Sequence, residues 1–128
     1  MIRVGGADEP VGADAEAPIE VREFTVETTT VRLGGDLVWR CALTAGHGLP
    51  TVAVVDYVIH FARARGAPGR KVFKLKTVRL QPGQPVEIVR RHALVPVTTR
   101  RYRAGRHRVE VQVNGRVLDG GDFHLVVD

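Results

Sequence analysis

Histidine, cysteine and carboxylate side chains are the groups of this chain able to move protons or hold a metal, and they are scattered. The five histidines, His47, His60, His92, His107 and His124, fall in no tight ligand spacing, and the single cysteine, Cys41, has no second thiol with which to build a zinc site. Alternation along the chain places Asp56 and His60 on one side of a strand-like segment. Pairing of that segment with the one through His107 would bring Glu110 and His124 to the same side. Carboxylates with two histidines could make a metal-dependent hydrolytic site. No nucleophile elbow or activated serine accompanies them, so a solvated or partner-facing patch is the simpler expectation. His107 is in phase with three valines and is expected to pack at a core edge with its ring nitrogens satisfied. Cys41 is in phase with Trp39 and Leu43 and reads as a small buried hydrophobe. Gly34-Gly35 and Gly120-Gly121 read as turns, without the helix that a phosphate-cradling loop feeds. No catalytic residue, metal site or cofactor is assigned.

Phosphate-binding chemistry is better represented. Arg100, Arg101, Arg103, Arg106 and Arg108 surround Tyr102, Lys71, Lys74 and Lys76 lie on another segment, and Arg90-Arg91 form a third pair. Guanidinium forks match phosphate geometry and an interleaved tyrosine can stack on a base. Arg100, Arg101, Tyr102, Arg103, Arg106, Arg108, Lys71, Lys74 and Lys76 are therefore the expected contacts to a DNA backbone. The competing reading has Tyr102 packing at a strand corner while the arginines are simply hydrated. Charge is unevenly placed: residues 1–36 hold eight acids against three bases and residues 37–128 sixteen bases against six acids, giving the net +5. A basic body of this kind suits a polyanion.

These groups need a frame, and alternation supplies one. Val109, Val111 and Val113 alternate with Arg108, Glu110, Gln112 and Asn114, the period-2 mark of a strand with one face buried. IEVREFTVETTTVRL reads as a strand broken by a bulge, since Ile19 and Val21 are out of phase with Phe24 and Val26. DLVWRCALTA, VAVVDYVIHFAR, KVFKLKTVRL, VEIVRRHAL and RVL-DGG-DFHLVVD supply further strands. In KVFKLKTVRL, Phe73 and Leu75 are expected inward and Lys74 and Lys76 outward. Asn114-Gly115 is a hairpin signal. About seven strands with frequent turns and no credible helix predict an all-β, immunoglobulin-like antiparallel two-sheet sandwich over residues 19–128, preceded by a tail or linker over 1–18. In VAVVDYVIHFAR the side opposite the core is unusually apolar. Val52, Val54, Val58 and His60, with Val126, form an alternative surface for docking a protein partner. No run approaches the roughly 18 apolar residues that span a bilayer, and the first residues lack the apolar stretch of a secretory signal. A cytoplasmic location is expected, in keeping with a single cysteine.

VVDYVIHFARARGAPGRKVFKLKTVRLQPGQ and RRHALVPVTTRRYRAGRHRVEVQVNGRVL together resemble the C-terminal β-domain of bacterial HEAT-like-repeat proteins of DNA alkylation repair. The resemblance runs from about Ile19 to Val127 and is strongest over residues 55–118. DYVIHF, KVFKLKT, PVTTRRY and G-x-H-R-V-E-V-Q-V-N-G are specific as a set. The resemblance implies an immunoglobulin-like accessory domain in proteins whose helical repeats hold alkylated DNA. It carries no catalytic residue onto this sequence, because base excision would belong to the repeats and no helical period of that kind is present. A HEAT-like-repeat domain is thus the partner implied for the valine face, and DNA the partner implied for the basic segments.

Overall fold

The computed structural model describes residues 18–46, 48–63, 65–66, 69–96 and 102–127. His47, Arg100, Arg101 and, apart from Pro18, the expected tail lie outside them. Among the described residues every regular element is a strand: β1 (Ile19–Val26), β2 (Thr30–Arg32), β3 (Asp36–Ala45), β4 (Thr51–Phe61), β5 (Gly69–Leu80), β6 (Val86–Ala93), β7 (Gly105–Val113) and β8 (Arg116–Val126). One sheet has three strands in the order β1-β3-β6, the other five in the order β2-β8-β7-β4-β5. The two-sheet sandwich expected from alternation is what the chain forms.

The eighth strand comes from the first stretch. Arg22 pairs with Ala42 and Thr25 with Arg40, so Glu23 and Phe24 together oppose Cys41. That extra residue is the bulge the phase change predicts, and Glu23 absorbs it at φ 54°. Phe24 is thereby returned to the core, stacked on Trp39 at 5.5 Å. After Val26 the chain leaves this sheet, and β2 pairs parallel to β8 in the other.

The core joins the sheets through a row of rings. Trp39 meets Tyr57 at 5.7 Å and Tyr57 stacks on Phe73 at 5.1 Å. Both Trp39 and Tyr57 are fully buried. A buried phenol needs partners. The Tyr57 hydroxyl lies 2.7 Å from His92 Nδ1 and accepts from Arg90 Nε at 3.2 Å, both on the facing sheet. Cys41 is buried as expected, and desolvation pushes its thiol up to about 12.

Two expectations fail for reasons of close approach and phase. Gly120 and Gly121 lie inside β8 and make no turn. A Cβ at Gly120 would come within 2.7 Å of Glu110 Cγ and 2.8 Å of the Val109 carbonyl, and one at Gly121 within 2.9 Å of Val26 Cγ2. These glycines admit neighbours on the two faces of the sheet. On β5, Lys74 pairs with Asp56 but Lys76 pairs with Val55. Leu75 is the extra residue of a second bulge, and one extra residue reverses the facing of everything beyond it. Lys74 stands on the outer side of the sheet, whereas Lys76 takes a register position on the core side of an edge strand, where it remains exposed.

Candidate nucleic-acid interface

The strand pairing brings the basic connections to one end of the sandwich. β4 and β5 close at Phe61 and Gly69, and β7 begins beside the end of β4, with His60 opposite Arg108. The β4–β5 connection, carrying Arg63 and Arg65, therefore sits beside the β6–β7 connection, carrying Arg103, with Arg106 at the start of β7. Connections at the opposite end are residues 46–50, 81–85 and the Asn114-Gly115 turn, and they contain no Lys, Arg, Asp or Glu. That hairpin is as expected, with φ 49° at Asn114 and 83° at Gly115. Asn114 does more than turn the chain: its side chain accepts from Val54 N at 2.8 Å and donates to the Val52 carbonyl at 3.0 Å, extending the β7–β4 ladder by one rung.

His107 holds the charged end together. It is 2% exposed, as its phase among valines predicts. Its Nδ1 accepts from the Ala62 amide at 3.0 Å, and its Nε2 lies 2.8 Å from the Arg103 carbonyl. An amide can only donate and a carbonyl can only accept, so these partners select the neutral ring protonated at Nε2. The ring stacks on Phe123 at 5.5 Å and meets Phe61 edge-on at 6.0 Å. Tyr102 packs its ring against Phe61 at 5.7 Å, the corner placement foreseen as the alternative to base stacking.

Arg108 belongs to a different arrangement. On the outer face of the five-stranded sheet it donates to Glu110 Oε2 at 3.0 Å and Asp122 Oδ1 at 3.3 Å, while His60 Nε2 donates to Glu110 Oε1 at 2.6 Å. Burial would raise the Glu110 pKa, but hydrogen bonds from His60 and Arg108 outweigh it and hold the carboxyl below its ordinary value. The hydrogen bond to Glu110, followed by that to Asp122, raises Arg108 in turn. Asp56 pairs in register with Lys74 and Gln112, and His124 with Arg106, so neither joins the His60–Glu110 pair. No group of three or more potential metal ligands occurs among the described residues.

One residue of the expected docking face is closed off. Val58 pairs with Glu110 on one side and Val72 on the other, and its exposure is 0%. It presents no surface to a partner. His60 is engaged with Glu110, and Val52, Val54 and Val126 are half-buried.

The remaining cations divide by partner. Arg40 is held by Glu27 and Glu87, and Arg91 by Asp36. Lys71, Lys74, Lys76, Arg63, Arg65, Arg103 and Arg106 form no ion pair with any of the described residues. Lys71 lies over the Phe73 ring at 5.3 Å. Residues 20–127 match the sequence profile of the family described as "Uncharacterised protein YhaZ, C-terminal Ig-like domain". The chain belongs to this family. It is 32% identical over 71 residues to YhaZ of Bacillus subtilis, covering 56% of this chain and 20% of that protein. Its fold superposes with a TM-score of 0.84 and 34% identity on part of the alkylpurine DNA glycosylase AlkC of Pseudomonas fluorescens, bound to DNA containing an abasic-site analogue. That match covers 90% of this chain and 32% of the glycosylase. A β-glucosidase of Listeria innocua shares the fold at TM-score 0.69, with 14% identity over 86% of this chain and 16% of its own. The chain thus spans about a fifth to a third of the first two relatives. No helix among the described residues is long and apolar enough to cross a membrane.

Proposed function

We propose that residues 19–128 form a non-catalytic accessory domain of a cytoplasmic DNA alkylation repair protein, one that contacts the DNA backbone through the charged end of the sandwich. The observation that carries this reading is the group of cations without carboxylate partners among the described residues: Arg103 and Arg106 at that end, Lys71, Lys74 and Lys76 along β5. The likeness to a glycosylase solved on DNA supports it. Arg100 and Arg101 extend the same connection in sequence. Arg108, already held by two carboxylates, supports the sheet face instead, and Tyr102 anchors its connection on Phe61. Contacts of this kind read charge and spacing, not bases, and weaken steeply with salt. Fluorescence anisotropy with a labelled duplex at low and moderate salt tests it. Binding that falls with salt, and falls again on replacing Arg100, Arg101 and Arg103 with glutamate, is expected. No binding at low salt, or no effect of the triple replacement, overturns the reading.

A second reading is favoured by the coverage of the relatives, most of whose chains lie outside this domain. It docks the domain on a HEAT-like-repeat partner through Val52 and Val54, joined by Val72 and Val117, which are 39% and 46% exposed. If Val54→Asp abolishes binding to a helical-repeat partner while DNA binding persists, docking takes precedence.

A further inference from the structure

We infer that the β4–β5 connection is a second cationic arm of the phosphate-contacting end, and that His107 is the positioning residue that holds both arms in register. This rests on the DNA-backbone reading above and adds residues and a mechanism to it. One arm carries Arg103 and leads to Arg106; the other carries Arg63 and Arg65, all exposed. A buried side chain with one bond to each arm ties them: Nδ1 to the Ala62 amide, next to Arg63, and Nε2 to the carbonyl of Arg103 itself. The rings repeat the connection, since Phe61 at the root of one arm touches both Tyr102 on the other and His107. Arg63 is further located by Gly69, where a Cβ would stand 3.1 Å from the guanidinium Nε, so the absence of a side chain lets Arg63 lie across the start of β5. Basic side chains and the connections that carry them lose conformational freedom on binding phosphates; a shared buried brace removes part of that loss beforehand.

The charged surroundings sharpen the inference. Across the strands from His107 and its neighbours, the carboxylates Glu110 and Asp122 are engaged with His60 and Arg108. None of them is left to neutralise the arms. Arg63, Arg65, Arg103 and Arg106 make no ion pair among the described residues.

The test is a salt titration of the full chain against one labelled duplex, for wild type, Arg63→Gln/Arg65→Gln, Arg103→Gln/Arg106→Gln, His107→Phe and His107→Gln. Each lost phosphate contact should lower the slope of log K against log salt by about 0.9, so each arginine pair should lower it by about two. His107→Phe keeps a ring but neither bond, and should weaken binding several-fold. His107→Gln, which can still accept from one arm and donate to the other, should restore most of it. In wild type the two arginine pairs should be coupled through the brace, and in the His107→Phe background they should add independently, an outcome that a purely structural histidine would not give. If Arg63→Gln/Arg65→Gln leaves affinity and slope unchanged while Arg103→Gln/Arg106→Gln lowers both, the second arm is wrong and the DNA reading survives. If wild type fails to bind, the DNA reading itself falls. Should His107→Phe not fold, His107→Gln decides the brace: weakening as large as that of an arginine pair would overturn it.

Discussion

The charged end of the sandwich and the outer face of its five-stranded sheet are neighbours, both rich in arginine, and they use it oppositely. On the face, Arg108 is locked between Glu110 and Asp122, and His60 completes the lattice over a fully buried Val58. At the end, Arg63, Arg65, Arg103 and Arg106 have no carboxylate among the described residues, and the order lies beneath them, in His107 and its two backbone bonds. An arginine whose charge is consumed by its own sheet strengthens that sheet; one left uncompensated on a braced loop is available to a polyanion. Net charge alone does not separate these cases. Pairing does.

Both regions depend on the rings between the sheets, so the largest effect should come from removing that support. Trp39→Ala should cost about 3–5 kcal/mol in denaturant unfolding, since it empties the site between Phe24 and Tyr57. A loss under 1 kcal/mol would mean that face and end are held independently of the core. Gly120→Val should damage the face alone. Its side chain would enter the space of Glu110 and the Val109 carbonyl, costing about 1–3 kcal/mol. Salt-dependent DNA binding by the folded protein should persist. Parallel loss of binding would show that face and end are one unit.

The smallest effect is a pH dependence confined to the face. The Glu110 carboxyl is held below its ordinary value of 4.5 in the folded protein. A carboxylate with a lowered folded pKa contributes stability that is present above the unfolded value and is lost as pH falls through the folded one. Wild type should therefore lose stability below about pH 4.5 more steeply than Glu110→Gln, measured by denaturant midpoints across that window. Equal slopes would remove Glu110 from the account.

Much of the frame was legible because alternation is a local property. The strand through Val109, Val111 and Val113, the phase break before Phe24 and the Asn114-Gly115 turn need only nearest neighbours along the chain. His107 was legible as a satisfied core-edge histidine for the same reason, although its partners were not. The facing of Lys76 is not legible, because a bulge at Leu75 is invisible in an otherwise regular alternation. Gly120-Gly121 looked like a turn because consecutive glycines usually make one; only the crossing of Val26 and the fold of Glu110 over β8 show why side chains are excluded there.

The sequence by itself determined an all-β sandwich, a basic body and the family to which they belong, since period, composition and short motifs are carried in order along the chain. The tertiary structure decided which cations are spent and which remain. Glu110 and His60 are 50 residues apart, and Ala62 and His107 are 45 apart. Such partners meet only through strand pairing, so whether a guanidinium faces a carboxylate or solvent is settled by register and topology.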